Sequence, residues 1–519
     1  MDPLWEGLRA AGQAYLDLLT LPYFYLAIVL TWWHAARETA LQRKMFHVRL
    51  YGALSITLKR LGAGVLVGVA LSVASLATGA ELTPGTLVCV WAATLLLTLF
   101  RLRYICLAYA AGALGMLQAA LSAVEDGSGP EWIGHIIRAI DQIDVAGLLL
   151  VAGLLHVAEG LLVRLQGART AVPLFLEGKR GKPVGAYALS GVWPIPLVWL
   201  VPAAGTSGFA LPWTPWFGGG ADALLWSLLA FPVLIGFSER TTTYWPEQKA
   251  RMSGYLLMVY GAVIALLAAG SVYWAPLAIV ASVLVFALHE GLVWISRFRE
   301  AGRQPLYAQD GSGVRILAVL PGSPAMEMGL MAGETILKVN GRATRTKEEL
   351  YAALQRQSAF SKMEVVNREG HVKFLQRARY AGEHYQLGLI LAPDDAAEFV
   401  AAPRAASLWR SLRDAGARRR EDAAAALAFA SAESGAATGE QAAAGDAAST
   451  GGAGDGAAAE TAEEGSAAAA GAAPDSANAM HAGSGTASDP RAAEGKSAGI
   501  SLSAPAPEDP GLPPRRARR

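Results

Sequence analysis

The chain has little of what a disulfide-stapled or nucleic-acid-binding protein needs. Its 519 residues hold two cysteines, Cys89 and Cys106. Both sit in or beside apolar runs, where cysteine behaves as a small hydrophobe more often than as half of a disulfide or of a metal pair. Charged residues make up only 17% of the chain, and 44 Lys and Arg against 43 Asp and Glu leave a net charge of +1. That balance excludes binding driven by bulk displacement of counterions from phosphates, so no nucleic-acid partner is expected. The opening MDPLWEGLRAAGQAYLDLL lacks a basic n-region and a small-residue cleavage site. No cleavable signal peptide is expected, and the stretch reads as an amphipathic lead-in to a first span.

Long apolar runs are what the sequence has in quantity, nearly all of them before Arg297. Runs of roughly 17 to 22 residues suffice to cross a bilayer core as helices, and about nine are present. They are Leu18–Ala36, Arg60–Ala80, Gly85–Phe100, Tyr104–Val124, Ile143–Val163, Ala188–Gly205, Ala221–Ser238, Ser253–Tyr273 and Ala275–Ser296. The connecting segments alternate in charge. One set carries Arg37, Arg43, Lys44, Arg49, Lys59 and Arg60, then Arg101 and Arg103, then Arg164 to Lys182, Arg240 to Arg251, and Arg297 to Arg303. The other holds only Arg9 and Arg138 as basic residues, beside Glu81, Glu125, Asp126, Glu131, Asp141 and Asp144. Cytoplasmic loops are the Lys- and Arg-rich ones, so everything after Ser296 is expected in the cytoplasm. The first run contains Pro22 and ends in HAARE, which makes its crossing the weakest of the nine.

The end of the fifth run, HVAEGLLVRLQGARTAVPLF, echoes the end of the ninth, HEGLVWISRFREAGRQPLY. Each gives His, Glu-Gly-Leu, basic residues and then Pro-Leu-aromatic, which implies a duplicated four-helix unit made of spans two to five and six to nine. His156 and Glu159 share a helix face, whereas His289 and Glu290 are adjacent and point apart. Together with His34 they fall near the cytoplasmic ends of three spans. Ionisable residues at such depth face a cavity or one another. Polar packing contacts are the preferred reading, with a metal or proton site as the alternative.

Two protease chemistries can be tested on named positions. A zinc protease of the His-Glu-x-x-His type needs a second imidazole one turn on, and HEGLVW has Val293 there. GTSG at Gly205–Gly208 matches a Gly-x-Ser-Gly serine motif, but Ser207 lies toward the side opposite His156 and His289, with no histidine base at hand. No catalytic residue and no cofactor are expected. The remaining alternatives are an intramembrane protease gated by the soluble domain that follows, or a regulator of one, and a transporter with such a regulatory domain, the latter weakened by the lack of paired acids at mid-membrane.

Beyond the apolar half, GVRILAVLPGSPAMEMGLMAGETILKVNG alternates as a strand, turns at Pro321–Pro324, and resumes as a strand to the Asn340-Gly341 turn. An amphipathic helix follows at about Thr346–Gln357, then a hairpin turning at Glu369-Gly370. Gly322-Ser323-Pro324-Ala325, Gly329-Leu330, Gly333-Glu334 and Val339-Asn340-Gly341 make this segment resemble a bacterial PDZ domain over about residues 305–393, with Glu334 where that family usually has Asp. The resemblance implies that Gln386, Leu387, Gly388, Leu389, Ile390 and Leu391 form the strand that pairs with a peptide C-terminus. Leu350, Tyr351 and Leu354 on the facing helix would line its pocket. For any one of these leucines, a plain core role is an equal alternative.

From about Ala401 the chain turns to Ala, Gly, Ser, Thr and Glu and ends in PPRRARR, a composition expected to stay disordered apart from a transient helix at Ser407–Phe429. The fold expected is a polytopic α-helical membrane domain over 1–300, an α+β PDZ domain over 305–395 and a disordered tail over 400–519. A multi-span domain followed by a PDZ domain, with LWEGLRAAGQAYLDLLTLPYFYL at its start and the HE repeat within it, resembles the MinJ-type cell-division topological determinants of Gram-positive rods. That resemblance implies a scaffold in the cell membrane, enriched at septum and poles. Its partners would be a polar DivIVA-like protein and a MinD-like ATPase, and self-association is a further option.

Overall fold

The computed structural model describes residues 3–123, 130–178, 181–203, 208–217, 225–357, 359–378, 380, 386–394 and 400–401. Ser207 and the expected tail from residue 402, Ser407–Phe429 included, lie outside the described residues.

The first half is helical where the sequence breaks it with proline. Helices α1 (Pro3–Thr20) and α2 (Pro22–Phe46) meet at a 65° bend at Pro22. They are followed by α3 (Ala53–Thr78), α4 (Pro84–Phe100), α5 (Leu107–Leu121), α6 (Glu131–Asp141) and α7 (Val145–Leu162). After an intervening sheet come α8 (Pro246–Ser271) and α9 (Pro276–Ala301). Pro22, Pro84, Pro246 and Pro276 each open a helix, where a missing N–H costs nothing. The Thr83 hydroxyl caps α4 by accepting from Thr86 N at 3.1 Å, and Asp144 caps α7 by accepting from Gly147 N at 2.9 Å.

Among the described residues four helices, Ala53–Thr78, Val145–Gly167, Pro246–Ser271 and Pro276–Ala301, are long and apolar enough to cross a membrane, and the bent α1–α2 pair passes the same test when taken as one span. Helices α4 and α5 are apolar but shorter. The α7 helix is the most enclosed of the four. It meets α8 through facing glycines, Gly153 with Gly261 and Gly160 with Gly254, where an added Cβ would press on the partner's backbone.

The sixth and seventh expected helices are a correction. Those runs form strands β2 (Pro183–Pro202) and β3 (Trp226–Thr241), joined in antiparallel register from Tyr187↔Thr241 to Pro202↔Trp226, with β1 (Val172–Glu177) on the other side of the start of β2. An apolar run buried on both faces has no periodicity to separate strand from helix, but Pro194 and Pro196 two residues apart would break a helix interior. In the hairpin they cause no conflict. Pro196 pairs with Pro232, so that position exchanges no hydrogen bonds with β3, and the alternation of an antiparallel ladder turns Pro194 outward with it. The duplicated four-helix unit expected from the His-Glu-Gly-Leu echo falls with those two helices.

The outer edge of β2 is covered by one face of α3. The fully buried Arg60 donates to Ser190 O at 2.8 Å, Ser72 Oγ accepts from Val198 N at 3.0 Å, and Ser75 Oγ accepts from Leu200 N at 3.3 Å. Between them Gly64 and Gly68 lie against the carbonyls of Pro194 and Pro196 so closely that any Cβ would overlap them. Arg60 counts with a basic loop in the sequence; it is a buried helix residue here, also bonded to Glu38 at 3.2 Å.

The last part of the folded chain is an α+β unit. Its sheet runs β8 (Val372–Ala378), β7 (Phe360–Val366), β5 (Thr335–Val339), β4 (Val314–Val319), β9 (Leu389–Leu391), with β6 (Arg342–Ala343) paired to β5. Helices α10 (Pro324–Glu327) and α11 (Lys347–Arg356) complete it around a core that includes Val314, Ile316, Ile336, Val339, Met363 and Val365. This unit packs on the helical domain. Gly185 N donates to Tyr307 O at 2.9 Å, the Tyr187 hydroxyl donates to Leu317 O, and Leu317, Ala318 and Ile390 are buried with side chains of the first half. The Arg368 guanidinium lies over the Trp245 ring, 4.4 Å from its centroid.

Candidate peptide groove and buried polar cluster

The strand β9 ends its sheet. It pairs with β4 through Ile316↔Leu391, Ala318↔Ile390 and Val319↔Leu389, and among the described residues no further strand follows it in the sheet order. A bound peptide strand requires an edge strand with a helix to help line the groove, and Leu389 and Leu391 of β9 share their core with Leu350 and Leu354 of α11. Just before it, Leu387 (φ 56) and Gly388 (φ 79) are both left-handed, a conformation that is uncommon for leucine. The GSPA segment holds that bend: Leu320 N donates to Gly388 O at 2.9 Å, and Ala325 N donates to Leu387 O at 3.0 Å. A Cβ on Gly388 would collide with Ser323, so a loop of this shape needs glycine there.

The side chains expected in the groove divide by burial. Leu350 and Leu354 are fully buried, and Leu387, Leu389 and Leu391 belong with them to the core of the unit. Ile390 points to the interface with the helical domain. Tyr351 and Gln386 are partly exposed. The Thr346 hydroxyl caps α11 by accepting from Glu349 N at 3.3 Å.

The titratable residues singled out in the membrane domain fall into two groups. His34 lies 3.7 Å from Glu38 and 3.3 Å from Arg60, in the group that covers the β2 edge. His156 of α7 and His289 of α9 meet elsewhere, with ring centroids 5.4 Å apart, around the Sγ of Cys106 at the start of α5. Sγ lies 3.1 Å from His156 Nε2 and 3.8 Å from His289 Nε2. Glu159 Oε2 is 3.9 Å from His156 Nε2. Glu290 accepts from Tyr109 at 2.9 Å and pairs with Arg103, so His289 and Glu290 leave α9 in different directions yet meet the same tyrosine. Tyr109, and the grouping of Cys106 and Arg103 with these histidines, escape a reading of the sequence, because only the fold brings the start of α5 and the turn before it to α7 and α9; a cysteine at the boundary of an apolar run is the one trace of it.

Comparison with known proteins gives a consistent picture. A PDZ domain family model matches residues 315–368. The Bacillus subtilis (strain 168) cell division topological determinant MinJ is 29% identical over 398 residues, which is 75% of this chain and 96% of that protein. The chain is similar to MinJ over most of the length of both proteins. A probable cell division topological determinant MinJ of Lacticaseibacillus paracasei is 26% identical over 285 residues, 52% of this chain and 73% of that protein. The chain thus joins apolar helices to a PDZ domain, and the relatives it resembles are named cell division topological determinants.

Proposed function

We propose that this chain is a non-enzymatic membrane scaffold for placing the division site, with a membrane domain to about residue 300 and a cytoplasmic PDZ domain over 305–395 that captures partner proteins. The observation that carries the reading is the β9 edge, whose Leu389 and Leu391 share a core with Leu350 and Leu354 of α11, entered through a left-handed bend that the GSPA segment holds in shape. A peptide added along Gln386–Leu391 gains main-chain hydrogen bonds, while Tyr351 and the α11 face around Leu350 and Leu354 contact its side chains. The basic segments before α3, before α5 and after α9 support a cytoplasmic PDZ domain by the charge rule. By likeness to MinJ, the partners are a DivIVA-like polar protein and a MinD-like ATPase, and the protein gathers at septum and poles.

A full-length fluorescent fusion imaged in dividing cells tests this reading. Septal and polar enrichment, lost when Gly388→Val disturbs the groove loop while membrane insertion persists, is the expected result. Uniform membrane fluorescence of the unmodified fusion overturns it. A protease reading has less support: Val293 stands one turn past His289, and Glu290 is engaged by Arg103 and Tyr109.

A further inference from the structure

Three helices that are far apart in sequence each deliver one soft or borderline donor to one point. Cys106 comes from the start of α5, His156 from α7 and His289 from α9. Their ligand atoms, one from each, lie within 4.8 Å of one another. Hydrogen bonds on the far side of each imidazole fix which nitrogen faces that point. His156 Nδ1 is 2.6 Å from Ala152 O, an acceptor only, so Nδ1 carries the proton and Nε2 presents a lone pair toward Sγ. His289 Nδ1 is 2.8 Å from the Tyr109 hydroxyl, whose own hydrogen goes to Glu290 Oε1. The hydroxyl therefore accepts from His289, and that ring also turns a bare Nε2 toward Sγ. Imidazoles oriented by a carbonyl and by a hydroxyl–carboxylate pair are the usual second layer of a metal site.

We propose that Cys106, His156 and His289 bind one thiophilic divalent cation of the zinc type, which ties α5, α7 and α9 together. Zinc binds thiolate at about 2.3 Å and imidazole at about 2.0–2.1 Å, so tetrahedral ligands stand about 3.5 Å apart. The sulfur-to-nitrogen separations of 3.1 and 3.8 Å bracket that value. Binding exchanges the thiol proton for the metal, leaving a thiolate–metal bond and a released proton. The Glu159 carboxylate lies toward the donor nitrogen of the His156 ring, its Oε2 3.9 Å from Nε2. With a thiolate and this carboxylate against two positive charges, the site becomes neutral, which an apolar interior demands. One thiolate with imidazole and carboxylate is a zinc-like donor set rather than a magnesium- or calcium-like one.

The test uses the full chain purified in detergent, in a Cys89→Ser background so that Cys106 is the single thiol. After dialysis against metal-free buffer, about one zinc per chain is expected. Cobalt(II) in its place should give tetrahedral visible absorption together with a thiolate-to-cobalt charge-transfer band. Zinc should slow alkylation of Cys106 by a small maleimide at least tenfold, and His289→Gln should abolish that protection. A parent protein that takes up neither metal, a cobalt spectrum without the thiolate band, or alkylation indifferent to zinc overturns the proposal. Because these readouts are taken on the parent protein, a variant that fails to fold does not rescue it.

Discussion

Ser72 of α3 accepts a hydrogen bond from the backbone N–H of Val198 at 3.0 Å, so a helix side chain stands where the next strand of a sheet would be. Within apolar surroundings an uncovered strand edge is not tolerated, because each unpaired N–H or carbonyl costs several kcal/mol. Pro194 and Pro196 remove two donors from that edge, Ser72 and Ser75 satisfy two more, and Arg60 satisfies the Ser190 carbonyl.

Ser72→Ala leaves the Val198 N–H without that acceptor and should cost about 1–3 kcal/mol. Ser72→Thr keeps the hydroxyl and should cost less. Thermal unfolding in detergent checks this, and equal losses in both variants would show that the hydroxyl is not what matters.

Arg60→Ala removes a fully buried cation and strands the Glu38 carboxylate, which also accepts from Ser190. Breaking a buried pair from one side costs about 3–5 kcal/mol. The double variant Arg60→Met with Glu38→Gln should recover part of the melting temperature that the single variant loses. If the double is worse than the single, the pair is not the source of the loss.

Burial first, and then the neighbouring Asp144 carboxylate, raise the pKa of Glu81 in the connection between α3 and α4 above its ordinary value. A raised acid favours the folded state while it is protonated, so its contribution is present in acid and lost as pH rises from the ordinary glutamate range through the raised value. Glu81→Gln should flatten the fall in melting temperature across that window and raise it at neutral pH. An unchanged slope would dissociate Glu81 from it.

In the PDZ domain, Leu354→Ala should cost about 2–5 kcal/mol, because Leu354 is fully buried, and Leu389→Asp should also lower the melting temperature. Tyr351→Ala changes a partly exposed side chain and should weaken partner capture by the full-length protein with nearly unchanged melting temperature. Undiminished capture by that variant would remove α11 from the binding surface.

Turn chemistry made the PDZ domain readable in the sequence. Ser323-Pro324 starts α10, Gly341 closes the β5–β6 turn with φ 79, and Thr346 caps α11, each by a local rule that no distant contact can alter. Strand β2 was not readable from hydropathy, since burial on both faces erases the alternation that marks a strand; the spacing of Pro194 and Pro196 was the signal that outweighed length. His156 and His289 stood out through their repeated context. Cys106 did not, because its place beside them is a property of packing between α5, α7 and α9.

The length of β2 has a consequence for anyone excising the PDZ domain. Twenty extended residues measure about 66 Å, against about 39 Å for the 26 residues of α3, so the strand overshoots the helix and carries Gly185 and Tyr187 out as a shelf. Leu317, Ala318 and Ile390 rest on the side of the domain that meets that shelf. A fragment cut between α9 and β4 bares these three side chains, and it is prone to self-associate or precipitate unless they are made polar. Soluble fragments for ligand screening therefore call for surface redesign at those positions, and quantitative affinities belong to the intact membrane protein.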